Sequence, residues 1–396
     1  MFQFPANPLI GDIFTPVTGV SFRWNGTGWV PYSAVALTKT EADTLYAPIG
    51  SAPGNNRIIN GSFRIDQRLE GGVYQTLGTG VYGPDMWFAN GAGSGNLYLQ
   101  RADDSFYLGE YILAAQVNVA DASLAAGDSY NVQTCVEGYN CGDLNYGGPS
   151  AQPITISFEV VSNITGPYSL SIRNNLGNRS YVTSFTVNVA GAVEKKVITI
   201  PGDTGGAWNH TNDIGLSITI GLGIGSTYQA GSANTWLTGN YLTLAGMTNL
   251  MASVSNYLTL RRFKLEKGSY ATPFEPRSFK DELELCQRYY EKSYDVGVTL
   301  GTVTLYGSEA VRGVAGTANL LVNVRYKTKK RADPTNTFYS PNTGTAAKVY
   351  NSSTGDVTVT AESNPGMAGS PQIVLGTIPS AGDAIYYHWV SNARLT

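Results

Sequence analysis

Ile154-Thr155-Ile156-Ser157-Phe158-Glu159-Val160 alternates apolar and polar residues without a break. A period of two fits a β-strand with one face in a core and the other face wet. The same rhythm returns at Tyr168, Leu170, Ile172; at Tyr181, Thr183, Phe185, Val187, Val189; at Ile214, Leu216, Ile218, Ile220; and at Tyr257, Thr259, Arg261, Phe263, Leu265. Turn-forming stretches separate these runs, among them Asn163-Ile164-Thr165-Gly166-Pro167 and Pro201-Gly202-Asp203-Thr204-Gly205-Gly206. Short alternating strands with no helical crossover between them predict an antiparallel two-sheet sandwich over 55–277 and exclude a parallel α/β sheet.

Downstream of these runs the period changes. Ser278 is placed to cap a connector helix over 278–294, with Asp281 at the capping-box position and Leu283, Cys286 and Tyr290 on one face. β periodicity then resumes over 295–396, at Val296, Val298, Leu300; Val303, Leu305; Leu320, Val322, Val324, Tyr326; and Val357, Val359. Asn351 to Asp356 reads as a turn, and Ile385-Tyr386-Tyr387-His388-Trp389-Val390 as a terminal strand. A smaller C-terminal β-sandwich is the expectation.

Upstream, Phe22-Arg23-Trp24-Asn25-Gly26-Thr27-Gly28-Trp29 predicts a hairpin within 1–32, turned by Asn-Gly and stacked on Phe22, Trp24 and Trp29. Thr38 to Tyr46 opens with Thr-x-x-Glu and closes before Pro48, which suits a short helix in a linker over 33–54. Units this small lack a core of their own and should lean on another surface or another chain.

With 396 residues, two or three domains are expected. The surface is built from Gly, Ser, Thr and Asn more than from charge, since only 14% of residues are charged. Disorder does not fit 25 Tyr, 13 Phe and 6 Trp with a net charge of −3. Against nucleic acid stands the balance of 26 basic and 29 acidic residues, which supplies no basic stripe. The run Lys327, Lys329, Lys330, Arg331 reads as a solvated strand end or turn. No long apolar tract predicts membrane insertion, and the N-terminal residues carry no secretory signal pattern. Cys135 and Cys141 flank a loop short enough to be stapled, so a disulfide and two free thiols both remain open, while Cys286 reads as a small buried hydrophobe.

Several of these segments carry a family likeness. Phe4-Pro5-Ala6-Asn7-Pro8 through Trp29 resembles small repeats near the start of tailed-bacteriophage tail and appendage proteins. Thr38 to Pro48 resembles the short helical linker of trimeric phage fibres. Ile59-Asn60-Gly61-Ser62-Phe63-Arg64-Ile65-Asp66-Gln67-Arg68, Pro84-Asp85-Met86-Trp87 and Phe263 to Arg277 are similar to a phage jelly-roll module, although that module has Arg where Met86 stands. Glu282 to Lys292, with Pro334-Thr335 and Phe338-Tyr339-Ser340-Pro341, continues the likeness. The resemblance implies a homotrimeric tail fibre or spike on the virion, attached by its N-terminal end to other virion proteins, with a carbohydrate-binding-module-like jelly-roll displayed outward toward a host cell-surface glycan. Trp24, Trp29, Leu45 and Tyr46 would then carry trimer or attachment contacts. A purely structural collar, head or baseplate appendage is one alternative, and a glycan depolymerase is another.

Catalytic patterns are missing: HExxH, GxSxG and phosphate-loop signatures do not occur, and the two histidines, His210 and His388, are far apart in sequence. His388 reads as structural and His210 as part of a polar loop. Asp66, Asp85, Asp103, Asp104 and Glu110 are available as carboxylates, but their spacing gives no reason to converge as glycan hydrolysis requires. The expectation is a binding protein without enzymatic activity.

Aromatic plates beside amides and carboxylates match the apolar faces and hydroxyls of sugars. Three such sets stand out: Trp208 with Asn209, His210, Asn212 and Asp213; Tyr139, Asn140, Asp143, Asn145 and Tyr146; and Trp236 with Asn234 and Asn240. Each aromatic could equally belong to a core or an interface, although loop positions favour exposure of Trp208 and Tyr146. No cofactor is called for; a structural Ca²⁺ could be held by Asp and backbone oxygens in these loops, without EF-hand spacing to support it.

Overall fold

In the computed structural model, the described residues are 4–16, 20–32, 56–72, 74–75, 78–322, 324–363, 366–369 and 372–395. They belong to two compact units, one ending at Ala52 and one starting at Pro53. The first unit holds three antiparallel strands, β1 (Ile13–Phe14), β2 (Ser21–Trp24) and β3 (Trp29–Tyr32). The hairpin forms as expected, with Trp24 opposite Trp29 and the Asn25 side chain accepting from the Thr27 and Gly28 N–H groups at 2.9 and 2.8 Å. Phe4 stacks on Trp29 with ring centroids 5.4 Å apart, and β1 adds a strand that the sequence did not announce. Leu45, Tyr46 and the expected short helix lie outside the described residues.

The second unit opens with a sandwich. Its strands are β4 (Tyr74–Gln75), β5 (Gly78–Tyr82), β6 (Trp87–Ala92), β7 (Asn96–Asp103), β8 (Tyr111–Val119), β9 (Ser129–Glu137) and β10 (Ile154–Ser162). They continue with β11 (Gly166–Arg173), β12 (Arg179–Val187), β13 (Glu194–Ile200), β14 (Ile214–Ile224), β15 (Trp236–Thr238) and β16 (Tyr257–Lys267). One sheet runs β13-β10-β16-β8-β7-β4 and the other β15-β12-β11-β14-β9-β6-β5. Every strand pairing is antiparallel, and strands distant in sequence lie side by side, so the sandwich is a jelly-roll. The core lies between the sheets: Phe158 stacks on Phe263 at 5.1 Å, and Trp87 meets Phe63 and Phe263 at 5.0 Å.

Alternation placed these strands well but missed two features. In β16 the core residues are Leu258 and Leu260, then Phe263 and Leu265, so the phase flips between them. Arg262, at φ 51°, makes the flip, and opposite it the register with β10 shifts between Ser157 and Glu159. Its guanidinium is held by both Glu110 oxygens at 3.0 and 2.8 Å, while Arg261, expected on the apolar stripe, is buried against Asp104 at 2.8 Å. The expected wet face of β10 is also covered, since Thr155 and Ser157 are buried.

The connector helix is shorter than expected. α1 (Phe279–Gln287) starts at Ser278, whose hydroxyl accepts from the Asp281 N–H at 3.2 Å, and ends well before residue 294. Tyr290 leaves the helix for β17 (Tyr290–Lys292), because its backbone pairs with the chain's last strand. Polar residues are buried on α1 as well as Cys286: Glu282 accepts from the Asn60 N–H at 2.6 Å.

After it come β18 (Glu309–Arg312), β19 (Asn319–Leu321), β20 (Thr335–Tyr339), β21 (Lys348–Asn351), β22 (Gly355–Ser363), β23 (Gln372–Leu375) and β24 (Ala384–Asn392). β24 is the organiser, pairing with β17, β18, β20 and β21 around a second core that includes Phe338, Val349, Ile385 and Tyr387. The expected strands at Val296–Leu305 do not form; turns with Gly297 and Gly301 at φ 86° and 78° break the run and leave Val296, Val303 and Leu305 exposed. Lys330, expected in solvent, is fully buried against the Glu291 carboxylate.

Sandwich and C-terminal sheet share an interlocked seam. The buried Glu137 carboxylate takes Arg288 Nη2 at 2.6 Å and the Tyr289 hydroxyl at 2.5 Å. The Tyr82 hydroxyl also donates to the Leu395 carbonyl at 2.7 Å, and Leu395 is buried in the sandwich core.

Candidate functional site

The structure gathers three of the sequence-selected aromatics into one cluster. Tyr146 lies 4.9 Å from Trp208 and 5.8 Å from Trp236, the two Trp rings are 5.4 Å apart, and Tyr181 of β12 closes the group at 5.3 Å from Trp236. Their polar edges turn inward. Trp208 Nε1 donates to Asp203 and to the Gly205 carbonyl, both at 3.2 Å, and Trp236 Nε1 donates to the Pro201 carbonyl at 2.8 Å. Asp203 is itself paired with Arg179. Contrary to expectation, Tyr146 is buried, at 5% exposure, and the Trp rings are half-buried; the cluster seals an end of the core rather than offering a flat plate.

The remaining candidates sit beside that cluster on two adjoining loops. Tyr139 is 64% exposed, and its N–H donates to the Thr211 carbonyl at 2.8 Å. Asn140 and His210 are exposed, while Asn209 is turned on itself, accepting from the Thr211 N–H at 2.6 Å. Asp213 caps the start of β14 through the Ile214 N–H at 2.8 Å. Asn209 and Asp213 are thus committed to loop geometry, while the side chains of Tyr139, Asn140 and His210 face solvent.

A different surface is built from polar residues. On the seven-stranded sheet, Val132, Leu170, Ile172, Ile218 and Ile220 point into the core, so the alternate residues form the outward face. Register aligns them in rungs: Asn90, Asn131 and Gly221; Gln133, Thr219 and Ser171; Cys135, Ser217 and Arg173. Amides and hydroxyls bond along and between these rungs. Asn90 Nδ2 donates to Asn131 Oδ1 at 3.2 Å, and Gln133 Nε2 donates to Ser217 Oγ at 2.5 Å.

Three polar atoms on this face have no hydrogen-bond partner: Ser169 Oγ, Ser171 Oγ and Arg173 Nε. Buried groups of this kind cost roughly 1–3 kcal/mol each when left unpaired, so their concentration on three alternate residues of one strand calls for a reason. Burial pulls the Arg173 guanidinium below its usual value, and pushes the Cys135 thiol up to about 11.

Beside Ser169 the face opens into a hollow of about 260 Å³, floored by Gly221 and Gly223 and walled by Gln229, Thr243, Thr248 and Asn249. The glycines make the hollow. A Cβ on Gly221 would collide with Ser169 Oγ, and one on Gly223 would lie 2.8 Å from Asn249 Oδ1. The sequence signal was present as Ser169-x-Ser171-x-Arg173 and Ser217-x-Thr219-x-Gly221, read only as the solvent side of strands.

Of the carboxylates considered for hydrolysis, Asp103 is exposed and the other four have structural work. Asp66 accepts from the Leu69 and Gly71 N–H groups at 3.1 and 2.7 Å, Asp85 pairs with Arg68 at 3.1 Å, and Asp104 and Glu110 hold Arg261 and Arg262. Among the described residues there is no group of three or more His, Cys, Asp or Glu side chains that could hold a metal ion, and no helix long and apolar enough to cross a membrane. All three cysteines are free and buried, which decides between disulfide and thiols at Cys135 and Cys141.

No protein-family model and no curated protein sequence matches the chain. Among solved structures, it is similar to the enzymatically active domain of tailspike protein 4 of bacteriophage CBA120, at 9% identity and a TM-score of 0.28 over 55% of this chain. The chain covers only 22% of that domain's length. A family 4 carbohydrate-binding module matches at 12% identity and a TM-score of 0.27, over 52% of this chain and 97% of its own. A family 11 carbohydrate-binding module from Clostridium thermocellum, in complex with a mixed-linked tetrasaccharide, matches at 11% identity and a TM-score of 0.26, over 50% of this chain and 98% of its own.

Proposed function

We propose that the jelly-roll is a glycan-binding module and that it holds sugar on the outward face of its seven-stranded sheet. The observation that carries this reading is the unpartnered buried hydroxyl of Ser169 on a polar hollow with a glycine floor, followed two residues along β11 by the equally unpartnered Ser171 Oγ. Sugar hydroxyls both donate and accept, and Ser, Thr, Asn and Gln side chains match them in both senses. The hollow falls just under the roughly 300–1,000 Å³ typical of drug-sized ligands, which suits one or two sugar rings.

In the wider reading the chain is a bacteriophage fibre or spike protein on the virion, assembled as a homotrimer, anchored to other virion proteins through 1–32 and 33–54, and attaching to a host cell-surface glycan through 55–277. The sequence likeness supports it, as does the aromatic N-terminal unit, in which Leu9, Ile10, Ile13 and Val20 are exposed. Threefold display would raise weak binding per site through effective concentration.

Glycan-array binding by the intact protein, repeated with a Ser169→Ala/Ser171→Ala double variant, tests the site. Binding that is lost in the variant while its thermal unfolding is unchanged supports it; no binding by the parent protein overturns it. A mass measurement at low concentration tests the trimer, and labelling of assembled particles tests the location.

A further inference from the structure

Arg173, like Arg64 and Arg101, holds no carboxylate, and of these three it is the one with a buried guanidinium nitrogen left unpartnered. In the same unit, Arg57, Arg68, Arg261, Arg262, Arg277 and Arg288 each hold a carboxylate, at 2.7, 3.1, 2.8, 2.8, 3.1 and 2.6 Å. Arg179 holds Asp203 in the same manner. Arg173 instead leans on three neutral acceptors: Asn240 Oδ1 at 2.7 Å, Gln133 Oε1 at 3.3 Å and Thr219 Oγ1 at 3.4 Å. Its Nε has no partner at all.

A guanidinium keeps its proton inside proteins, so this is a positive charge held at the end of β11, on the last rung of the polar face, without a counter-charge. Desolvating such a charge is costly, and a fixed, partly buried charge focuses its field on whatever enters. Geometry supplies the way in. Two of the three neutral bonds are long, and the short one comes from Asn240, an exposed loop residue whose amide oxygen can swing aside. Asn240 occupies the place that a carboxylate, sulfate or phosphate oxygen would take, and a planar fork binds such groups through two parallel N–H···O bonds.

We infer that the face is selective for anionic glycans, with Arg173 reading the acidic group of the sugar while Ser169 and Ser171 address its hydroxyls. The inference rests on the reading of this face as a glycan site and adds the class of sugar it takes.

The test sets neutral oligosaccharides against uronate, sialylated and sulfated counterparts on the intact protein, by calorimetry at low and high salt. Acidic sugars should bind about tenfold tighter or better, the ratio that one charge-assisted hydrogen bond supports, and the preference should shrink as salt rises. Arg173→Gln should bring the preference close to unity. Asn240→Asp places a carboxylate on the guanidinium within the chain, and should remove the preference while thermal unfolding stays level or rises. That second variant guards against a mere folding defect. Equal binding of neutral and acidic sugars overturns the inference and leaves the glycan site standing, as does a preference that survives both variants. Failure of both classes to bind removes the site itself.

Discussion

The aromatic cluster at Tyr146, Trp208 and Trp236 and the polar face at Ser169, Ser171 and Arg173 lie in the same sandwich, yet their hydrogen bonds are arranged in opposite ways. In the cluster both indole N–H groups are satisfied by the chain's own oxygens, so the rings serve the fold. On the face two hydroxyls and one guanidinium nitrogen are buried and left open. The residue types associated with sugar stacking are spent on packing, and the plain residues of a strand's alternate side hold the unspent bonding capacity. In the proposed reading it is the run of unpaired groups on alternate residues of one strand that marks the site, since the cluster too holds one unpaired hydroxyl, that of Tyr146.

The largest expected effect breaks that comparison if it fails. Trp236→Ala should cost about 3 kcal/mol in denaturant unfolding, since a half-buried ring packed on three others is lost. Binding per folded molecule should stay as it was; a loss of glycan binding at unchanged stability would return the site to the cluster. Next comes Gly221→Val, which puts side-chain atoms where a Cβ already lies 2.9 Å from Ile224 Cδ1. It should close the hollow and weaken glycan binding about tenfold or more for about 1–2 kcal/mol of stability, read by calorimetry and thermal melting. Tyr146→Phe removes a buried hydroxyl that has no partner, so stability should hold or rise by up to about 1 kcal/mol. A clear destabilisation would place a hidden bond in the cluster. The smallest expected effect is none: with Cys135 at about 11 and the guanidinium charged, neutral-sugar affinity should be flat between about pH 5 and pH 9. A titration step in that range would bring a further ionising group onto the face.

Much of the sandwich was legible because alternation is a local signal. Ile154 to Val160 and Ile214 to Ile220 gave β10 and β14 directly. It failed where geometry overrides period. Arg262 reverses the phase of β16 because two glutamates hold its side chain from other strands, and glycine turns dissolve the apolar run after Val296. α1 ends early for a similar reason: Tyr290 can pair with Asn392 only by leaving the helix.

The site was legible only in part. The polar stripe of β11 and β14 was visible, but its burial depends on loops and on strands brought together by register, which no spacing along the chain reveals. The convergence of Tyr146 and Trp208 from two loops with Trp236 from β15 was equally hidden, and favouring exposure of Trp208 and Tyr146 followed from their loop setting alone.

The hydrogen bond from Tyr82 to Leu395 spans 313 residues. On a ribosome, Tyr82 emerges long before its acceptor has been made, and nearly all of the intervening chain must be threaded first. The sandwich can gather its sheets in the meantime, yet the margin beside β5 stays open until Leu395 arrives. A chain interrupted late in translation would thus carry a sandwich without the Leu395 that its core buries and without the acceptor of the Tyr82 hydroxyl.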